Sequence, residues 1–296
     1  MADDHAGAIF EEQRGYLFSI AYRLLGTVSD AEDAVQDAYL RWVSADRDAI
    51  RSPRAFLATV VVRLCMDRLR SAQARRETYV GPWLPEPLAT GDRPDLTETV
   101  MLRESLSLAF LYLLESLAPP ERTVFVLREV FDYDYAEIAP MVARSVTNCR
   151  QLFHRAQQRL ADRRARFQTT PEQREKVTER FVQAASSGDV QQLLEVLAED
   201  VVAVGDGGGK VPGASLQPLR RRDSVARLFM GSLMKSPPDR VWIEEVNGVP
   251  AIVAERGGRL QAILELDVRD GRVAGMYAVA NPDKLQPLAR HLGLRV

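Results

Sequence analysis

The chain predicts a multidomain fold, with two all-α domains, the second a helix-turn-helix, followed by an α+β domain. Three observations predict it. Apolar residues recur at helical spacing as far as residue 168. Beyond that point, apolar-alternating runs are separated by the turn dipeptides NG (247–248), GG (257–258) and DG (270–271), a pattern of antiparallel hairpins. Between the two helical blocks the stretch GPWLPEPLATGDRP (81–94) holds four Pro and two Gly, which excludes a helix or an inner strand. The divisions are 1–80, a linker over 81–100, 101–168 and 171–296.

The elements follow in order. Ser29 with Glu32 reads as a capping box opening a helix over 30–43. Ser52-Pro53 reads as a cap and first-turn proline before a helix over 54–76. Leu102, Leu106, Ala109, Leu113 and Leu117 predict one helix over 101–118. Residues 134–160 have the plan of a helix-turn-helix. A first helix over 135–142 meets a tight connection at Ala143-Arg144, Ser145 caps a second helix, and Val146, Cys149, Phe153, Ala156 and Leu160 form its buried stripe. In the last block, helices over 172–187, 190–198 and 220–234 precede four strands, an α+β unit with one sheet face curled around a core or pocket.

Composition narrows the classes. With 46% hydrophobic and 27% charged residues, and no run near the roughly 18 apolar residues of a membrane span, no membrane partner is expected. The start MADDHAGAIFEEQ lacks the plan of a secretion signal, and Cys65 and Cys149 make neither a disulfide framework nor a zinc site. A cytosolic location is therefore expected, with no metal and no cofactor.

The net charge of −2 argues at face value against an acidic partner, but it is a cancellation. Residues 1–50 hold four Arg against ten Asp and Glu, a balance of −6. Residues 51–80 carry +5, residues 144–166 carry +6, and 171–296 are neutral with 17 charges of each sign. Since fields decay over about 10 Å at moderate salt, a partner feels the local sign. On the second helix of the helix-turn-helix, Thr147, Asn148, Arg150, Gln151, His154 and Arg155 lie opposite the buried stripe. Arg, Asn and Gln there suit base edges in a major groove, and flanking Arg suits phosphates.

DAEDAVQDAYLRW (30–42), SPRAFLATVVVRLCMDRLRSAQARRE (52–77) and LAPPERTVFVLREVFDYDYAEIAPMVARSVTNCRQLFHRAQQRL (117–160) together resemble the two domains of an extracytoplasmic-function sigma factor. WLPEP (Trp83, Leu84, Pro85, Glu86, Pro87), DGGGK (Asp206, Gly207, Gly208, Gly209, Lys210) and NPDKL (Asn281, Pro282, Asp283, Lys284, Leu285) resemble the signature pieces of the subgroup with a SnoaL-like carboxy-terminal extension of the NTF2-like cone fold.

The resemblance implies core RNA polymerase and promoter DNA as partners. The acidic helix bearing Asp30, Glu32, Asp33, Asp37 and Trp42 would dock on polymerase; Trp42 has a second reading as a core residue. Arg63, Arg68, Arg70, Arg75 and Arg76, with the loop 43–53, would track the melted non-template strand of the minus-ten element. Arg63 and Arg70 also stand four and three residues from Asp67, a spacing at which they pair with it instead. Arg144, Ser145, Thr147, Asn148, Arg150, Gln151, His154 and Arg155 would face the minus-thirty-five element as duplex.

The three extension motifs are expected to meet as one intramolecular interface with Trp83 as its apolar anchor, regulating the factor in cis without a separate anti-sigma protein. DGGGK lacks the spacing of a phosphate-binding loop. The rival reading is an enzyme or ligand-binding domain fused to a DNA-binding module. Its raw material is thin: His291 is the one histidine of the last block, and Asp206, Asp223, Glu244, Glu245, Glu255, Glu265 and Asp267 show no pairing by spacing, with Tyr277 beside them. No catalytic residue is assigned, and a small ligand of this block stays open.

Overall fold

The structure, a computed structural model, describes residues 2–91, 96, 99–164 and 169–296. They form two compact units: residues 1–78, 93–105 and 113–162, and residues 79–92, 106–112 and 163–296.

The first unit is helical. Helices α1 (Ala2–Leu25), α2 (Val28–Val43) and α3 (Pro53–Glu77) pack together, burying Leu17, Ile20, Leu24, Ala31, Ala34, Leu57, Val61 and Cys65. After α4 (Val100–Glu104), α5 (Leu108–Leu114) leads into α6 (Pro119–Glu129), α7 (Tyr135–Met141) and α8 (Val146–Arg164). Helix α6 packs on α1 and α3 through Val124, Phe125 and Leu127, all buried.

Two sequence expectations are corrected. Helix α2 starts at Val28, with Thr27 in the cap position donating its hydroxyl to Asp30 at 2.7 Å. Ser29 is exposed inside the first turn and makes no capping box, because the chain has already entered the helix there. The predicted single helix over 101–118 is broken at residues 105–107. Ser105 turns its hydroxyl to the Leu102 carbonyl and receives Arg23 Nε at 2.8 Å, while Ser107 Oγ accepts the Phe110 N–H at 3.2 Å as the cap of α5. Short hydroxyl side chains compete with the helical ladder in this way. Ser52 does cap α3, accepting from Ala55 N–H at 3.3 Å with Pro53 in the first turn.

The second unit is a six-stranded sheet in the order β2-β1-β6-β5-β4-β3, with β1 Leu197–Asp206, β2 Leu219–Arg220, β3 Arg240–Val246, β4 Val249–Arg256, β5 Arg259–Arg269 and β6 Arg272–Val279. Strands β3 to β6 form the expected antiparallel meander, and β1 joins β6 in parallel. Asn247-Gly248, Gly257-Gly258 and Asp270-Gly271 all take positive φ at the three hairpin turns. Strand β1 falls where a helix to residue 198 was expected. The helix α10 (Val190–Val196) ends just before it, and the β-branched run Val201-Val202-Ala203-Val204 favours the strand.

Strand alternation gives the sheet two covered faces. Leu264, Leu266, Val268 and Met276 pack with α9 (Pro171–Ser187), α10 and α11 (Arg222–Lys235) through Phe181, Leu193 and Val225. On the opposite face Val204, Ala251, Val253, Ile263 and Val279 pack against Leu84 from the linker, Leu108 and Ala109 from α5, and Leu285 and Leu288 from α12 (Pro282–His291). The linker is thus part of this unit's core.

Candidate nucleic-acid interface and linker-binding site

The helix-turn-helix is built as the residues require. Asp134 caps α7, accepting Glu137 N–H at 2.8 Å while Glu137 returns the bond to Asp134 N–H at 2.9 Å. Ala143 takes φ 51° in the tight connection, and Ser145 Oγ accepts Asn148 N–H at 3.2 Å to start α8. Cys149, Ala156 and Leu160 are buried. Arg144, Ser145, Thr147, Arg150, Gln151, His154 and Arg155 are exposed and Asn148 is half-buried. The Arg150 guanidinium lies 5.7 Å from the Tyr135 ring centroid, and His154 pairs with Gln158 at 3.1 Å.

The acidic helix α2 exposes Glu32 and Asp33 and half-exposes Asp30 and Asp37. The same helix exposes Tyr39, Leu40 and Val43, and borders a groove of about 540 Å³ lined by Phe10, Phe18, Val35 and Tyr39 with Glu11 and Glu32. Trp42 is corrected to a core residue: it is 2% exposed, donates its indole N–H to the Ala6 carbonyl at 2.9 Å and packs on Phe56. It falls on the same helical face as Ala31, Ala34, Val35 and Ala38, so its ring turns inward.

The expected minus-ten arginines separate. Arg68 bonds Asp37 at 2.7 Å and the Asp30 carbonyl at 3.1 Å, with Asp33 at 3.6 Å, so it neutralises the acidic helix rather than facing outward. Arg76 is internal, paired with Glu115 and donating to the Leu25 carbonyl at 2.7 Å. Burial pulls its guanidinium down to about 10, and Glu115 opposes that fall. Arg63 is exposed and donates to the Pro140 carbonyl on α7 at 2.9 Å, and Arg70 pairs with Asp67 at 3.1 Å. The Arg75 side chain lies outside the described residues.

The three extension motifs come together within the second unit. Asp206, 1% exposed, accepts four bonds: Tyr79 Oη–H at 2.6 Å, Leu84 N–H at 2.8 Å, Gly208 N–H at 3.1 Å and Lys284 Nζ at 2.6 Å. Lys284 also donates to the Leu84 carbonyl and lies 4.0 Å from the Trp83 ring centroid and 4.8 Å from that of Tyr79. Asn281 donates to Tyr79 Oη at 2.7 Å, caps α12 through Asp283 N–H, and receives Pro282 in the first turn. Lys210 and Asp283 close the rim at 2.5 Å.

A buried lysine between a carboxylate and two aromatic faces is satisfied on every side. The apolar anchor is Leu84 at 0% exposure, with Pro85 and Pro87 also buried; Trp83 and Glu86 are half-buried. Trp83 thus serves as the lid of the lysine. Tyr79 was not legible as a member of the site, since it stands outside all three motifs.

Burial and hydrogen bonding to Asp206 both push the Tyr79 phenol up, so it is the neutral donor at physiological pH. The glycines are needed for approach. Gly208 takes φ 58°, and a Cβ there would overlap the Asn281 side chain; a Cβ on Gly207 would stand 2.6 Å from that of Ala214. Gly208→Ala is expected to lower unit stability by about 1–3 kcal/mol, read as a reduced denaturation midpoint.

Comparison with known proteins gives these surfaces a family. Residues 9–75 match the Sigma-70 region 2 model and residues 107–160 match the Sigma-70 region 4 model. The ECF RNA polymerase sigma factor SigJ of Mycobacterium tuberculosis is 40% identical over 287 residues, covering 93% of this chain and 91% of that protein. The probable ECF RNA polymerase sigma factor SigI of the same organism is 34% identical, with 98% of each chain covered. The crystal structure of SigJ superposes with a TM-score of 0.77 over 94% of this chain and 98% of that one, at 35% identity. Two helical sigma regions at the observed positions, and likeness along nearly the whole length, place the chain in the extracytoplasmic-function family of RNA polymerase sigma factors, which act in transcription initiation.

Proposed function

We propose that the two regions divide promoter recognition as their surfaces suggest, and that the carboxy-terminal domain regulates this activity in cis. The acidic face of α2, with Asp30, Glu32, Asp33 and Asp37 beside exposed Tyr39 and Leu40, docks on core polymerase through charge complementarity around an apolar centre. Arg63 and Arg70, with residues 43–53, receive the melted strand of the minus-ten element.

Thr147, Asn148, Arg150 and Gln151 read base edges of the minus-thirty-five duplex, and Arg144 and Arg155 meet its phosphates. Ser145 holds the start of the reading helix, and His154 lies at its far edge. Arg150→Ala is expected to cost about 1–3 kcal/mol in promoter binding and to relax one base position. Unchanged base preference in a binding-site selection removes Arg150 from the readers.

The observation that carries the regulatory reading is the engagement of the linker by Asp206 and Lys284. These buried charges of the carboxy-terminal domain bond backbone atoms of the chain that joins region 2 to region 4. A tethered contact acts at millimolar effective concentration, so a modest interaction suffices to bias conformation. The test is run-off transcription with core polymerase, comparing the native chain with Gly208→Ala. A changed yield at equal protein supports regulation through this contact, and equal yields with the linker demonstrably loosened defeat it. Removal of residues 171–296 is the blunter test, since it also bares Leu84, Leu108 and Ala109.

Of the carboxylates that the rival enzymatic reading would use, Asp206, Glu265 and Asp267 are buried. Glu265 is fully enclosed, and its oxygens accept backbone N–H groups of Leu108 and Ala109. A domain that holds its own chain segment accounts for that arrangement of Glu265.

A further inference from the structure

Outside the three signature motifs, the Leu84-covered face of the sheet carries further buried polar side chains, among them Asn247 and Glu265. Asn247 bonds backbone of Leu88 and Leu106, and Glu265 bonds backbone of the first turn of α5. Asn247 Oδ1 accepts Leu88 N–H at 2.9 Å, its Nδ2 donates to the Leu106 carbonyl at 2.9 Å, and its own N–H donates to the Leu88 carbonyl at 2.8 Å. Glu265 accepts Leu108 N–H at 2.8 Å on one oxygen and Ala109 N–H at 3.3 Å on the other. Thr90 adds bonds to Glu245 at 3.1 Å and Gly248 N–H at 2.8 Å. One turn residue and one mid-strand residue therefore hold two separate segments, 88–90 of the linker and 106–109 at the start of α5, by backbone groups that any sequence would present.

We propose that Asn247 and Glu265 form a proton-controlled clasp whose ligand is the chain's own segment 106–109, which enters the first turn of α5 at the start of the region 4 match. A carboxylate is an odd choice for so dry a place, because two N–H bonds offset only part of its lost hydration. The surroundings agree. Ile263, Val253 and Ala251 line the same face. The charged and titratable groups that bear on Glu265 are Arg174 from α9 and Asp267 from its own strand, with Tyr277 opposite on β6, its ring tilted at 57° to that of Tyr112 from α5.

Burial is the dominant influence on the Glu265 carboxyl. Together with Asp267 it outweighs Arg174 and the two N–H donors, and the group is pushed up to about 7. Lifting the segment returns the carboxyl to water and to its ordinary range near 4.5. The docked state thus binds the proton more tightly. Docking is strongest below that ordinary value and weakens as pH rises toward 7, by roughly tenfold per pH unit across the window.

The clasp rests on the regulatory reading only for its consequence in transcription; its existence is measured without polymerase. In the full chain, protection of the Leu108 and Ala109 amides in hydrogen exchange, corrected for intrinsic rate, should fall about tenfold per pH unit from pH 5 to 7 and level off above. Glu265→Gln, which keeps the shape and removes the charge, should flatten this dependence. A native protein with pH-independent protection, or a slope that persists in Glu265→Gln, overturns the proposal. Should Glu265→Gln fail to fold, Asn247→Ala decides. It should lower protection at every pH while keeping the slope, and a slope lost there would deny Glu265 the role. If the clasp behaves as stated while run-off yields stay equal across variants, the regulatory reading fails and the clasp stands.

Discussion

Asp206→Ala should release residues 79–84 from the sheet and destabilise the second unit by about 3–5 kcal/mol, the range found when one partner of a buried charge pair is removed. The carboxylate is the common acceptor for Tyr79, Leu84, Gly208 and Lys284. Deleting it strands an ammonium that is 7% exposed in its side chain between two aromatic rings, with one backbone carbonyl still in reach. The measurement is a chemical denaturation curve for Asp206→Ala, for Lys284→Met and for the double variant. Removing both charges should recover only the part of the loss due to the stranded ammonium, because Tyr79, Leu84 and Gly208 still lack their acceptor. Additive losses in the cycle would show that the two charges do not act as a pair.

Glu115→Ala should destabilise the first unit by a similar amount, about 3–5 kcal/mol. Glu115 joins two arginines of different origin, Arg76 at the end of α3 and Arg122 on α6. Arg122 is 2% exposed and donates a further bond to the Arg23 carbonyl at 3.0 Å. Loss of the acid leaves two enclosed guanidinium groups facing each other. Glu115→Gln should recover only part of the stability, since an amide accepts from one arginine and offers its own donors to the other. A denaturation midpoint within experimental error of the native chain would mean that the pairs are screened by water.

Much of this was written in the sequence. The helix-turn-helix is legible because its signals are local: Asp134 with Glu137, Ser145 before Val146, and a buried stripe at intervals of three and four. The meander is legible for the same reason, since Asn-Gly and Asp-Gly take the positive φ that a two-residue turn demands. The start of the strand at 197–206 was not, because a helical pattern runs into it without a breaker and the pairing of β1 with β6 and β2 adds to the weak local preference of Val201 to Val204. Trp42 was ambiguous in the sequence, where an aromatic residue at the end of an acidic helix suits either a partner or a core. Its bond to the Ala6 carbonyl, 36 residues away, decided for the core.

The arginines show the same division. Their number and placement give the local positive charge, but Arg68 is committed to Asp37 on α2 and Arg76 to Glu115 in the turn after α5, acids that no spacing rule connects to them. The meeting of WLPEP, DGGGK and NPDKL was expected from resemblance, whereas the bonds that make the meeting were not. Asp206 and Leu84 are 122 residues apart, and Lys284 and Leu84 are 200 apart.

By itself, then, the sequence determined which segments are helix, hairpin and linker, where charge of each sign is concentrated, and what family the chain resembles. Those properties depend on residues within a few positions of one another. The tertiary structure alone decided that the linker is core rather than tether, that Leu84 and not Trp83 is the buried anchor, and that Asn247 and Glu265 face backbone of Leu88, Leu106, Leu108 and Ala109. Those outcomes depend on which distant groups share a dry environment, and an unpaired polar group there is too costly for the fold to leave unmatched.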